Sequence, residues 1–478
     1  MLVMPSFRWV RTAFRLLSSR SARPTLEHDP TNRELAAHDR GPRRTRPLRM
    51  RKFKSVIRPL ISLLLFTPFA HVVTAQDTDL RGPDAHETIQ GLNGHLLGGW
   101  GGKRSQLEER GVDFDFHYIT DSLWNIESPQ KARLASWNRG RGTVDIDFGE
   151  LAGWNGLSFH ATALWQGGGN LGTYLGLGTS PSGMSSENCF RLDSWWFEKQ
   201  WFHHRLDSRI GQIAGQDFFG TQQYGTSFVF EPMSYALPNL STTYETGSPA
   251  TTPGLQLSVA PMRKVYLASM VMAGDKTPFE HNPTGLVPQF KGAPVSAYEI
   301  GFTPGNKGTS MRPADNVGTR KGYSGVYKFG ASYNPGKFTT ATSSTQSGNY
   351  LLYWMANQAL WRVDPKEGRG LDATLAYDWS PPNLNSTHTA LTAGLRFNEP
   401  LPLPIHNTVS LGYVWTKVNP QFLPPGNPPN SPERGVELNA LFNVRPTILL
   451  QPAIQYYANV GGGPQRAVVL GFRAKVEF

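Results

Sequence analysis

The sequence predicts an all-β fold, a 16-stranded antiparallel transmembrane β-barrel with a short N-terminal helical segment, and three observations carry that prediction. The closing stretch RAVVLGFRAKVEF alternates with period two: Phe478, Val476, Ala474, Phe472, Leu470 and Val468 share one face, Glu477, Lys475, Arg473 and Gly471 the other. In a membrane barrel the apolar face meets lipid and the charged face a water-filled lumen. In a soluble protein the apolar face would pack on a core, but a soluble chain usually frays where this one ends on an aromatic. Secondly, fifteen further segments alternate in the same way, giving an even total joined mostly by short and long connections in turn. Thirdly, after the leader no run approaches the roughly 20 apolar residues of a membrane helix. A chain that crosses a bilayer without such helices must close its strands, since only helices and barrels satisfy every backbone group in lipid.

Charge locates the leader. The 478 residues carry 47 Lys/Arg and 36 Asp/Glu, a net +11, yet residues 1–75 hold 15 Lys/Arg and 4 Asp/Glu, and the remainder 32 of each. The basic excess belongs to the leader, so nucleic-acid binding by the body loses its main support. From Met50, MRKFKSVIRPLISLLLFTPFAHVVTAQ has a positive start (Arg51, Lys52, Lys54, Arg58), an apolar run from Ile61 and a cleavage site at Val73 and Ala75. This is the pattern of a secretory signal peptide. The expected organisation is an upstream extension, 1–49, absent from the mature protein; a signal peptide, 50–75; an N-terminal segment with a short helix, 76–110; and the barrel, 111–478. The one cysteine, Cys189, permits neither an intramolecular disulfide nor a thiolate cluster, which suits a bacterial envelope protein.

In chain order, Ser105 is a plausible N-cap for one or two helical turns that Gly111 stops. The strand candidates are 111–120, 141–149, 155–166, 191–202, 206–214, 253–261, 263–273, 296–303, 322–334, 349–362, 370–380, 388–398, 406–417, 434–445, 447–457 and 466–478. Long connections are expected at 120–141, 166–191, 214–253, 273–296 and 417–434; 303–322 is long where a short turn belongs. Tyr118, Trp165, Trp379, Trp415 and Tyr456 fall near strand ends, as an interfacial girdle would place them.

Motifs of catalysis are sparse. Gly167, Gly169 and Gly172 form a GxGxxG, but a nucleotide site needs a helix to open there and the sequence reads on as loop. No GxxxxGK[ST], HExxH or GxSxG occurs. His203 and His204 read as turn residues without a third metal ligand. Asp113, Asp115, Asp145 and Asp147 could converge as paired acids for glycoside hydrolysis, although inward acids are also the ordinary lining of an aqueous channel. The richest stretch is Asp193 to Gly225, where Glu198, Lys199, Gln200 and Arg209 lie beside Trp195, Trp196 and Trp201. Aromatic faces with a fork of donors and acceptors suit a pyranose; the same tryptophans would equally serve as lipid-facing girdle. Period two places Arg209, Lys328, Arg396, Arg473 and Lys475 on the lumen face, and the long loop from Gly215 to Pro253 is the candidate to fold inward and narrow the pore.

LLGGWGGKRSQLEERGVDF, the EKQWF…LDSRIGQIAGQDFFG hairpin and the closing segment from Gly435 to Phe478 together resemble the carbohydrate-selective porin family of OprB type. The resemblance implies an outer-membrane barrel that passes mono- or oligosaccharides by facilitated diffusion, with no chemistry and no cofactor or metal. It also implies a terminal Phe of the kind read by the assembly machinery. Arg209, Glu198, Gln200, Trp196, Lys328, Arg396, Arg473, Lys475, Asp113 and Asp115 are then the candidates for pore lining and sugar contact. The rival readings are an outer-membrane barrel enzyme acting on lipid or glycan and a secreted glycan-binding β-sandwich.

Overall fold

The computed structural model describes residues 94–478 apart from 203–204, 235–236, 244–246, 263, 305–322, 364–367 and 423–430. The leader, the start of the N-terminal segment, His203, His204 and most of the 303–322 connection lie outside the described residues. The sixteen strands are β1 (Val112–Glu127), β2 (Arg133–Asp147), β3 (Leu157–Gly168), β4 (Cys189–Trp201), β5 (Leu206–Ile213), β6 (Thr252–Met262), β7 (Val265–Gly274), β8 (Ala293–Phe302), β9 (Gly325–Thr339), β10 (Thr345–Arg362), β11 (Gly370–Trp379), β12 (Thr387–Asn398), β13 (Asn407–Val418), β14 (Glu433–Arg445), β15 (Ile448–Ala458) and β16 (Arg466–Glu477). Each pairs antiparallel with its neighbours in sequence, and β1 closes on β16 with Tyr118 opposite Val476. Closure leaves no edge in lipid.

Burial is inverted relative to a soluble protein. Leu255 and Leu257 on β6, Ile300 on β8, Phe329 on β9, Leu438 on β14, and Leu470 and Phe472 on β16 are exposed on the outer face. Asp121, Arg209, Asp372, Glu437 and Lys475 are buried inside. A β-sandwich would bury the first set and solvate the second, so the secreted-sandwich reading fails; an apolar belt around a polar interior belongs to a membrane barrel.

The structure corrects several boundaries. The connection expected at 120–141 is mostly strand, because β1 runs on to Glu127 and β2 begins at Arg133. Here Leu123, Ala135 and Trp137 point inward and pack on Leu171 or Met184 from an inserted loop, so apolar residues interrupt the polar lumen face that marks a strand elsewhere. As a result Tyr118 lies well inside β1, stacked 6.4 Å from Trp165, rather than at its end. The N-terminal helix, α1 (Lys103–Glu108), starts after Gly102 at φ 88°, so Ser105 is interior and not its cap. Gly111, at φ 77°, does end it; a Cβ there would lie 2.5 Å from the Asp147 carbonyl. Segment 94–97 clasps the end of the last strand: the Leu96 amide donates to Glu477 O (2.9 Å), and His95 Nδ1 lies 3.0 Å from Phe478 O. Between β2 and β3, α2 (Phe148–Ala152) is capped by Asp147, whose side chain accepts from the Gly149 amide.

Candidate conduction pathway

The chain leaves the wall at Ile213 and returns at Thr252, and the connection crosses the whole lumen. It is anchored step by step to inward side chains of the wall. The Gly220 amide donates to Glu299 on β8 (3.1 Å), and Lys328 on β9 donates to Thr221 O (3.2 Å). Gln451 on β15 donates to Ser227 O (2.9 Å), and Arg473 on β16 to Phe228 O (3.1 Å). The Val229 and Phe230 amides donate to the two carboxylate oxygens of Glu437 on β14, at 3.0 and 2.7 Å. On the return, Asn239 Nδ2 donates to Asp378 on β11 (2.6 Å), and Asn334 on β9 donates to Thr243 O (3.0 Å). A buried backbone needs such partners, and the wall supplies carboxylates for its amides and Lys, Gln, Arg and Asn donors for its carbonyls. Glycines make room: a Cβ on Gly435 would sit 2.4 Å from Phe230, and one on Gly412 3.0 Å from Phe228. Strand glycines mark such close approaches.

A second connection, between β3 and β4, also folds inward. It contains α3 (Leu171–Leu175), capped by Asn170. The GxGxxG reading is corrected in this detail, since a helix does open after Gly169, but its five residues enclose Gly172 and end at Gly176. Farther on, the Gly178 and Thr179 amides donate to Glu433 (2.8 and 2.9 Å), and Ser182 Oγ donates to Asp121 (2.6 Å). The two loops meet where the Ser180 amide donates to Glu231 (2.9 Å) at the start of α4 (Glu231–Ser234).

All ten candidate residues lie on the lumen side, and the five cations among them each face an acid. Arg209 Nε donates to Glu198 (3.0 Å), its Nη1 to Gln256 (2.9 Å), and its guanidinium lies 5.3 Å from the Trp196 ring and 4.9 Å from the Phe218 ring. Arg473 forks onto Asp121 at 2.7 and 2.8 Å. Arg396 donates to Asp372 (2.9 Å) and covers Tyr224 at 4.2 Å. Lys328 lies 3.7 Å from Glu299, and Lys475 3.0 Å from Glu477. Gln200 donates to Glu198 (3.2 Å) and stays half-buried, as do Asp113 and Asp115. Asp113 faces Asp145 across β1 and β2, whereas Asp147 has turned away to cap α2.

The tryptophans divide. Trp195 points outward and donates to Gly285 O (3.1 Å), and Trp201 is 45% exposed, a girdle position. Trp196 points inward but is 3% exposed, enclosed between His160 at 4.7 Å and Arg209. Neither of its faces is open to a sugar ring. Thr162, His160 and Asp145 form a hydrogen-bonded chain (3.0 and 2.7 Å) in the order of an activated nucleophile. Thr162 is fully buried, so this chain braces Trp196 and offers no reacting atom to a substrate. Asp115, His117 and Glu477 bring ligand atoms within 4.8 Å of one another, with the Lys475 ammonium already beside Glu477.

Sequence reasoning missed the acids that hold the loops: Asp121, Glu299, Asp378, Glu433 and Glu437. Their signal was present as inward carboxylates by period two, but the loop donors they meet, backbone amides together with Ser182 and the Asn239 side chain, belong to segments without a repeat.

A closed 16-stranded transmembrane barrel with a polar interior and an inward loop tethered to its wall is the architecture of a porin. The profile of the carbohydrate-selective porin, OprB family, matches residues 131–478. The chain belongs to that family, and with this fold its place is the bacterial outer membrane. It is 29% identical over 138 residues to Porin B of Pseudomonas aeruginosa, covering 26% of this chain and 29% of that one. It is 24% identical over 137 residues to the Putative porin QuiX of Acinetobacter baylyi, covering 27% and 31%. The aligned regions thus span under a third of either relative. The high-pH structure of Pseudomonas putida OprB superimposes with a TM-score of 0.72 at 16% identity, over 80% of this chain and 98% of that one, a likeness of fold.

Proposed function

We propose that this chain is a channel for facilitated diffusion of small neutral carbohydrates and does no chemistry on them. The observation that supports the reading is that five lumen cations each stand beside an acid: Arg209 with Glu198, Arg473 with Asp121, Arg396 with Asp372, Lys328 with Glu299 and Lys475 with Glu477. A wall of paired charges gives dense donors and acceptors for hydroxyls without the net field that would concentrate ions of one sign. In this reading the half-buried Gln200, Asp113 and Asp115 meet the solute, while Arg209, Glu198 and Trp196 hold the constriction in shape. Planar-bilayer recordings test it. Weak ion selectivity, with current reduced by a neutral monosaccharide, is expected; strong selectivity without sugar block overturns it.

A further inference from the structure

The outer wall carries a feature that conduction does not use. A cleft opens on the lipid side of β13–β16, at the end bearing the long loops, lined by Tyr413, Arg434, Val436, Tyr456, Ala458 and Arg466. The register explains it. Arg434 pairs with Ala458, which pairs with Arg466, so two arginines flank one small residue in a single row across three strands. With strands spaced 4.7–4.9 Å, their Cα atoms stand about 10 Å apart. Val436 and Tyr456 form the next outward row, and Leu438 with Ile454 the row beyond it. Going toward the membrane centre, the face therefore passes from cation to aromatic to aliphatic.

Both arginines are exposed, and among the described residues neither guanidinium takes part in a hydrogen bond or ion pair. Lys417, one outward position above Trp415, adds a third exposed cation. None of the outward residues in these rows is acidic. A cation at mid-bilayer is costly, whereas at the interface it is tolerated and attracted to anionic headgroups. Arginine also binds phosphate with a planar fork of donors.

The geometry points to a binding site for the phosphate of an outer-leaflet glycolipid, with Arg434 and Arg466 clamping the phosphate and Tyr413 and Tyr456 lying against the sugar and upper acyl chain. The outer leaflet of this membrane is built from phosphorylated glycolipid, so charge, depth and ligand agree. The whole folded protein is purified in detergent and its retention of phosphorylated lipid A is measured by native mass spectrometry. Retention should fall roughly fivefold for Arg434→Ala or Arg466→Ala and roughly twenty-five-fold for the pair, the scale of one interfacial cation each. Wild-type protein given enzymatically dephosphorylated lipid A should bind it as weakly as the double variant binds the phosphorylated form, an arm that needs no mutant to fold. Arg434→Lys with Arg466→Lys, which keeps the charge and loses the fork, should retain more lipid than the double Ala variant and less than the wild type. Equal retention of both lipid forms, unchanged retention in the double Ala variant, or displacement of the lipid by millimolar inorganic phosphate would overturn the assignment, the last by showing a site for free phosphate.

Discussion

Replacing Glu437 with Leu should release the inward loop while leaving the barrel closed. Four donors converge on this carboxylate: the Val229 and Phe230 amides at 3.0 and 2.7 Å, Gln455 Nε2 at 2.7 Å and Asn439 Nδ2 at 2.5 Å. The first two exist only with the loop docked, and hydrogen bonds to a charged group contribute about 1.5–3 kcal/mol each. Losing both, with their amides left unpaired, disfavours docking by about 3–6 kcal/mol, which shifts the docked-to-released ratio at least about a hundredfold. The ladders from β13 to β15 and the lipid face are untouched, so the heat-modifiable barrel should form in normal yield. Glu437→Gln keeps one acceptor and should fall between. The assay is single-channel recording with and without sugar. Glu437→Leu should conduct more, with noisier openings and weaker sugar block. A folded variant with wild-type conductance and wild-type block would refute the tether.

The remaining predictions concern the constriction, the lipid face and the topology. Arg209→Ala removes the cation paired with buried Glu198 and the wedge between Trp196 and Phe218, so sugar uptake at low concentration should fall several-fold. Arg209→Ala with Glu198→Ala should recover part of it, and no coupling in that double-mutant cycle would remove Arg209 from the frame. Leu470→Arg places a cation on the lipid face and should cost about 2–4 kcal/mol in a refolding titration if it lies near the midplane. Tolerance of that change would mean the faces are reversed. Cysteine at Phe290, 76% exposed between β7 and β8, should be labelled by an impermeant reagent on intact cells, and cysteine at Asn155 should not; the opposite pattern inverts the barrel.

The strands were legible because lipid and lumen impose opposite chemistry on alternate residues. From Leu371 to Trp379, outward Leu375 and Tyr377 alternate with inward Asp372 and Asp378, and the register follows. Where an inward loop replaced water as the inner environment, at Leu123, Ala135 and Trp137, that contrast was interrupted and strand was read as loop. The lumen position of Arg209 was readable from period two. Its enclosure by Trp196, Phe218 and Glu198 was not, because Phe218 arrives on a segment whose path depends on distant anchors. The same holds for Gly471, where alternation alone suggests a permissive lumen position. A Cβ there would meet Leu123 at 3.0 Å, so a bulky substitution is not free.

Swelling of liposomes containing the purified barrel, in a graded series of neutral sugars with charged solutes of matched size, tests the sugar-channel reading most directly. Rapid entry of monosaccharides that declines with chain length and exceeds entry of matched anions and cations agrees with a lumen of paired charges. Equal entry of neutral and charged solutes, or no entry of sugar, contradicts it.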